Sequence, residues 1–148
     1  MKKSKSILLV EDDKDDQSFF INALNKIENT TLYDVANNGK EALDKLKKSV
    51  VLPDVIFTDI NMPVMNGIEY LTEIIKNPYL SKIPVVFLSS SSLPKELTVK
   101  LLAAAMIKKT SDQEKLRSNI EEAINSNVNN KISNQIFQLA NFSEPLVL

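Results

Sequence analysis

Asp54-Val55-Ile56-Phe57-Thr58-Asp59-Ile60-Asn61-Met62-Pro63 is the stretch on which the reading of this chain turns. Its apolar run, Val55 to Phe57, is what a strand buried on both faces needs. The run ends in a carboxylate, Asp59, and then Met-Pro, which cannot continue a regular central strand. In an open parallel sheet, ligands and chemistry collect just beyond the carboxyl ends of the strands, so Asp59 is expected at the mouth of such a sheet. A second apolar run, Ile7 to Val10, ends in Glu11-Asp12-Asp13. Two adjacent strands that both end in acids make a pocket for a hard divalent cation.

Composition narrows the chemistry from outside. The 148 residues suit one domain with a substantial core. A net charge of -1 lacks the basic face of a nucleic-acid footprint, and Lys47-Lys48 and Lys108-Lys109 are too short to supply one. With no Cys and no His there is no disulfide framework, thiolate nucleophile, imidazole base, or Cys- or His-ligated metal. Only Gly39 and Gly67 occur, too few for a phosphate-binding P-loop or a dinucleotide fingerprint. The chemistry must come from carboxylates, hydroxyls, lysines and the backbone. The basic start, Met1-Lys2-Lys3-Ser4-Lys5, leads into a short apolar run and then acids, unlike a signal peptide, and no apolar stretch is long enough to span a bilayer. A cytoplasmic protein is the expectation.

Working outward along the chain, strands alternate with helices. Ser6–Val10 reads as the first strand, and Phe20, Ala23, Leu24 and Ile27 form a helical stripe after it. Thr31–Ala36 is the second strand, and Asn37-Asn38-Gly39 a turn with Asn38 as N-cap of a helix bearing Ala42, Leu43 and Leu46. Asp54–Thr58 is the third strand; Ile68, Leu71, Ile74 and Ile75 mark the third helix, ending near Asn77-Pro78. Val85–Leu88 is the fourth strand, ending in Ser89-Ser90-Ser91-Ser92. Pro94 suits the first turn of a fourth helix with Leu97 and Leu101. Ala105–Lys108 is the fifth strand. Ser111 with Glu114 reads as a capping box for a last helix with Leu116, Ile120, Ala123 and Ile124. The alternation argues a parallel sheet with helices on both faces. A polar stretch from Asn125 leads to a tail with Ile132, Ile136 and Leu139 at helical spacing, a possible sixth helix that packs on its own domain or supports a homodimer.

Acids after the first strand, an Asp after the third, a hydroxyl after the fourth and a Lys after the fifth together resemble the receiver domain of bacterial two-component response regulators. The matching segments are Ile7-Leu-Leu-Val-Glu-Asp-Asp13, Asp54 to Pro63 with Gly67, Pro84-Val-Val-Phe-Leu-Ser-Ser90 and Ile107-Lys-Lys109. The resemblance covers residues 5–126, leaving 127–148 as a tail. It implies a flavodoxin-like, doubly wound five-stranded sheet of order 2-1-3-4-5. It implies that Asp59 is the phosphoacceptor, attacking a phosphohistidine on a sensor histidine kinase or phosphotransfer protein. It further implies Mg2+ held by Asp12, Asp59 and the main-chain carbonyl of Asn61, with Glu11 acting through a water. Lys109 would pair with one phosphoryl oxygen and Ser89 would donate to another. The output would be a conformational switch read by a protein partner, with at most weak autophosphatase activity rather than enzymatic turnover.

Plainer readings stand beside these. Asp59 could be a turn acid before Met-Pro, Glu11 a solvated loop acid and Ser89 one of a hydroxyl-rich run. Either Lys108 or Lys109 could be a surface lysine. Asp13, Asp15 and Asp16 read as solvated acids at a helix start. The chain also departs from the family it resembles. Thr110 stands where proline usually follows the lysine, so a trans bond is expected there. Met106 replaces the usual aromatic switch residue. Ala103-Ala104-Ala105 replaces the usual Gly-Ala, and the Ser89-to-Lys109 span is short. The chemistry therefore looks intact while the output face is remodelled. The leading expectation is a stand-alone receiver. The alternatives are a pseudo-receiver acting as a phosphorylation-independent interaction or dimerisation module, and an Asp-nucleophile hydrolase of another α/β family, against which Asn61 stands where a second Asp is usual.

Overall fold

The computed structural model describes residues 3–90 and 106–125. In chain order they form β1 (Lys5–Val10), α1 (Lys14–Leu24), β2 (Thr30–Ala36), α2 (Gly39–Lys48), β3 (Val55–Asp59), α3 (Gly67–Lys76), β4 (Val85–Ser89), β5 (Met106–Lys108) and α4 (Gln113–Asn125). The helix expected around Pro94 to Leu101, the start of the fifth strand at Ala105 and the tail stripe lie outside the described residues.

The strands are parallel and ordered β2-β1-β3-β4-β5, the doubly wound, flavodoxin-like arrangement. The apolar runs explain it. Ile7 to Val10 are wholly buried, and every residue of β3 and of β4 is buried, as strands covered on both faces must be. β2 fully buries only Ala36 and is an edge of the sheet. Right-handed crossovers then fix the helices. The β1-to-β2 step runs one way along the sheet and the later steps run the other, so α1 and α2 fall on opposite faces. Accordingly α1 packs with α4, and α2 with α3. Phe20 of α1 meets Phe57 of β3 with ring centroids 5.2 Å apart.

The order reverses between β1 and β3, so a crevice opens at their carboxyl ends. The register pairs Ile7 with Val55 and Val10 with Thr58, bringing the residues that follow, Glu11 and Asp59, to the same rim.

Several expected boundaries shift. β3 begins at Val55 and includes Asp59. Asp54 lies just outside and instead accepts the Ser6 N–H at 2.8 Å and the Ser6 hydroxyl at 3.3 Å. α1 ends at Leu24, because the Asn25 and Lys26 N–H groups turn back to Ile21 and Ala23; Ile27 is buried in the following turn rather than in the helix. The Ser111–Glu114 capping box does not form. Asp112 caps α4, its Oδ1 accepting the Lys115 N–H at 3.1 Å, while the Asp112 N–H donates to Thr110 Oγ1 at 3.2 Å. No cis peptide bond occurs among the described residues, the Lys109–Thr110 bond included.

Candidate functional site

The site is built from the residues that leave β1, β3 and β5. Glu11 directly follows β1 and is 1% exposed. Its N–H donates to Ala36 O at 2.9 Å and its carbonyl accepts from Gln17 Nε2 at 2.6 Å, so the backbone is pinned from both sides. Asp12 beside it is exposed. Asp59, the last residue of β3, is buried, and its Oδ1 accepts the Ile60 N–H at 2.8 Å. One carboxylate oxygen from each of Glu11, Asp12 and Asp59 lies within 4.8 Å of the other two. Lys109 follows β5 and closes the group. Its Nζ donates to Glu11 Oε1 at 2.6 Å and to Asp16 Oδ2 at 2.9 Å, and stands 3.6 Å from Asp59 Oδ1. Lys108, by contrast, is exposed, so the site lysine is Lys109.

Electrostatics follow from burial. Desolvation pushes the Glu11 carboxyl up to about 7, with the charge of Asp59 adding and Lys109 opposing. Burial raises Asp59 too; Lys109 and the Ile60 N–H oppose the rise and Asp12 adds to it. For Lys109 burial pulls downward, but hydrogen bonds to Glu11 and Asp16 win and hold the ammonium above the usual lysine range. The crevice is therefore a place where excess negative charge is poorly solvated and a further cation is welcome.

The donor set fits a small hard cation. Around Mg2+ with oxygens at about 2.1 Å, octahedral ligands stand about 3 Å apart when adjacent and about 4.2 Å when opposite. Three carboxylates within 4.8 Å meet that requirement with little adjustment.

The loop after β3 holds Asp59 in place. Gly67 donates its N–H to Ile60 O at 2.8 Å, and a β-carbon there would lie 2.4 Å from the Asp59 carbonyl oxygen. Asn66 caps α3 in a reciprocal box with Glu69. Met65 N–H donates to Pro63 O at 2.7 Å across Val64, whose φ is 69°. Asn61 lies in this loop two residues past Asp59, exposed. Ser89 ends β4, buried, level with Lys108, and its carbonyl accepts the Lys109 N–H at 2.7 Å.

Two contributors escaped sequence reasoning. Asp16, read as a solvated helix-start acid, is an ion-pair partner of Lys109. Gln17, one turn into α1, braces the Glu11 carbonyl and Asn37. Asp13 caps α1 through the Asp16 N–H at 2.9 Å, a helix-start role as expected.

A doubly wound sheet with an acid–lysine crevice at its switch point defines the receiver class of α/β proteins. Sequence comparison agrees: the model of the family described as response regulator receiver domain matches residues 7–121, and the chain belongs to that family. It is thus a receiver domain of the kind used in two-component signalling. It is similar to a protein-glutamate methylesterase/protein-glutamine glutaminase of Treponema denticola, 48% identical over 80 residues, which are 51% of this chain and 20% of that protein. The chain spans about a fifth of the length of several curated relatives it matches. Among solved structures it resembles the phosphorylated cyanobacterial phytochrome response regulator RcpA, at 31% identity and a TM-score of 0.69, covering 84% of this chain and 96% of that one. It also resembles the Mn(2+)-bound form of response regulator Rcp1, at 26% identity and a TM-score of 0.66, covering 84% and 94%. Among the described residues no helix is long and apolar enough to cross a membrane.

Proposed function

We propose that this receiver accepts a phosphoryl group on Asp59 from a phosphohistidine of a sensor histidine kinase or phosphotransfer protein, and signals to a protein partner by a conformational change. The observation that carries the reading is the placement of the buried Asp59 carboxylate among Glu11, Asp12 and the Lys109 ammonium at the switch point. A carboxylate oxygen of Asp59 forms the new O–P bond as the P–N bond breaks. The electron pair of the broken bond stays on the imidazole nitrogen of the donor. Glu11, Asp12, Asp59 and the Asn61 carbonyl are the residues to hold Mg2+. Bound there, the ion supplies neutralisation of the charge that builds where an anionic carboxylate meets an anionic phosphoryl group. Lys109 then pairs with one phosphoryl oxygen and the Ser89 hydroxyl donates to another.

The acyl phosphate carries roughly -1.5 to -2 charge in place of the carboxylate's single charge, placed farther out and on new acceptor oxygens, enough to re-pair Lys109 and draw Ser89, and so to bias the surface beyond β4 and β5. Slow loss of the phosphoryl group to water resets the state, so the protein is a phosphoacceptor rather than a turnover enzyme. Nothing in the crevice favours the phosphorylation-independent alternative, because the three acids and the lysine lie together.

Intact-mass analysis after incubation with acetyl phosphate and Mg2+ tests the proposal, with Asp59→Asn alongside. Wild type is expected to gain one phosphoryl mass, lost when EDTA replaces Mg2+ and absent in the variant. No gain, with beryllofluoride also failing to bind, would overturn it.

A further inference from the structure

We propose that Asp16 is a positioning residue for the phosphoryl reaction: it holds the Lys109 ammonium back from Asp59 in the resting state, and the lysine must leave it to reach a phosphoryl oxygen. This rests on the phosphoacceptor reading and concerns the regulation of the same site.

The geometry is a competition for one ammonium. Lys109 has three N–H donors. Two are committed, to Glu11 at 2.6 Å and Asp16 at 2.9 Å, while Asp59 at 3.6 Å lies beyond hydrogen-bond length. The two holders differ. Glu11 belongs to the group of three carboxylates that suits a cation, so its charge is shared once a cation enters. Asp16 stands outside that group and keeps its full charge for the lysine. It therefore becomes the main rival of an incoming phosphoryl group. The backbone that carries Asp16 is fixed at the helix start, because its N–H is tied to the capping Asp13. A cavity of about 40 Å³ bordered by Glu11, Asp16, Phe19, Leu88, Lys109 and Thr110 adjoins this pair. A first-turn acid also favours the helix dipole, but Asp15 meets that need equally and is not a partner of Lys109.

The test is the affinity for beryllofluoride at saturating Mg2+, measured by calorimetry for wild type, Asp16→Asn, Asp16→Glu and Asp15→Asn. Asp16→Asn keeps the shape of the side chain and removes its charge. It is expected to bind beryllofluoride about two- to five-fold more tightly, the range set by a partly exposed ion pair. The phosphorylated form should outlast that of wild type in the same order. Asp16→Glu restores the pair and is expected to return towards wild type, and Asp15→Asn to stay near it. Damage to the fold weakens binding, so tightening cannot come from that source. Unchanged or weaker binding by Asp16→Asn, or equal tightening by Asp15→Asn through the general field, would overturn the inference while leaving the phosphoacceptor reading intact. Failure of wild type itself to bind beryllofluoride or gain phosphoryl mass would overturn both.

Discussion

At Gly67 the constraint is space rather than backbone freedom. A β-carbon 2.4 Å from the Asp59 carbonyl oxygen has only backbone to displace, and that backbone carries the candidate nucleophile. Gly67→Ala is expected to destabilise by about 1–3 kcal/mol and to slow phosphorylation by acetyl phosphate, read by urea unfolding and by mass. Three residues earlier the constraint is conformational. Val64 sits at φ 69° in the centre of a γ-turn, a region costly for a β-branched residue, and the residue is 79% exposed. Little burial is lost on removing it. Val64→Gly is expected to raise stability by about 0.5–1 kcal/mol, the relief of a left-handed side chain less the entropy of glycine, seen as a higher thermal midpoint.

Helix ends show what a sequence can reveal about elements and what it cannot. Asn38 reads as a cap because it stands directly before Gly39 and a clean apolar stripe, and its side chain does accept the Glu41 N–H. Before α4 three capping residue types follow one another, Thr110, Ser111 and Asp112. Their choice is made by the angle at which the chain leaves β5, which no spacing encodes. The reciprocal Asn66–Glu69 box went unread, although a cap followed by Glu three residues later is its signature. Its importance lies in its place, since it starts the helix that Gly67 locks against β3. Asn66→Ala is expected to cost about 1 kcal/mol in urea unfolding. Asp16 was hidden for another reason: its partner is 93 residues away, and helix periodicity says only that a first-turn acid is content there.

For the whole molecule, the alternation of apolar runs with helical stripes pointed to a parallel sheet covered on both faces, while the strand order came from the resemblance to receiver domains, carried by the acids after the first and third runs. What periodicity could not supply was the network of charges across the crevice, and that network governs pH behaviour. Glu11 titrates at about 7 in the folded chain against an ordinary 4.5, so the fold holds this proton where the unfolded chain has lost it. Without Mg2+, this group makes stability fall as pH rises from 4.5 to 7, on the order of 1–3 kcal/mol. For Glu41, burial raises the carboxyl, but hydrogen bonds from Asn37 and the nearby Lys45 together outweigh it and lower the group from 4.5, so it acts with the opposite sign below that window. Urea midpoints across the window are expected to decline for wild type, to decline less for Glu11→Gln, and to level off for wild type in millimolar Mg2+, because the cation needs Glu11 deprotonated.

The Ser6–Asp54 contact has a consequence at the far end of the sheet. It ties the entry of β1 to the entry of β3, opposite the chemistry. Parallel strands that keep their inward faces can slip only by two residues, about 6.6 Å. Such a slip would carry Glu11 and Asp12 clear of Asp59. A polar latch remote from the crevice thus acts as a second gauge, reinforcing the β1–β3 register that sets the distance between the carboxylates at the rim.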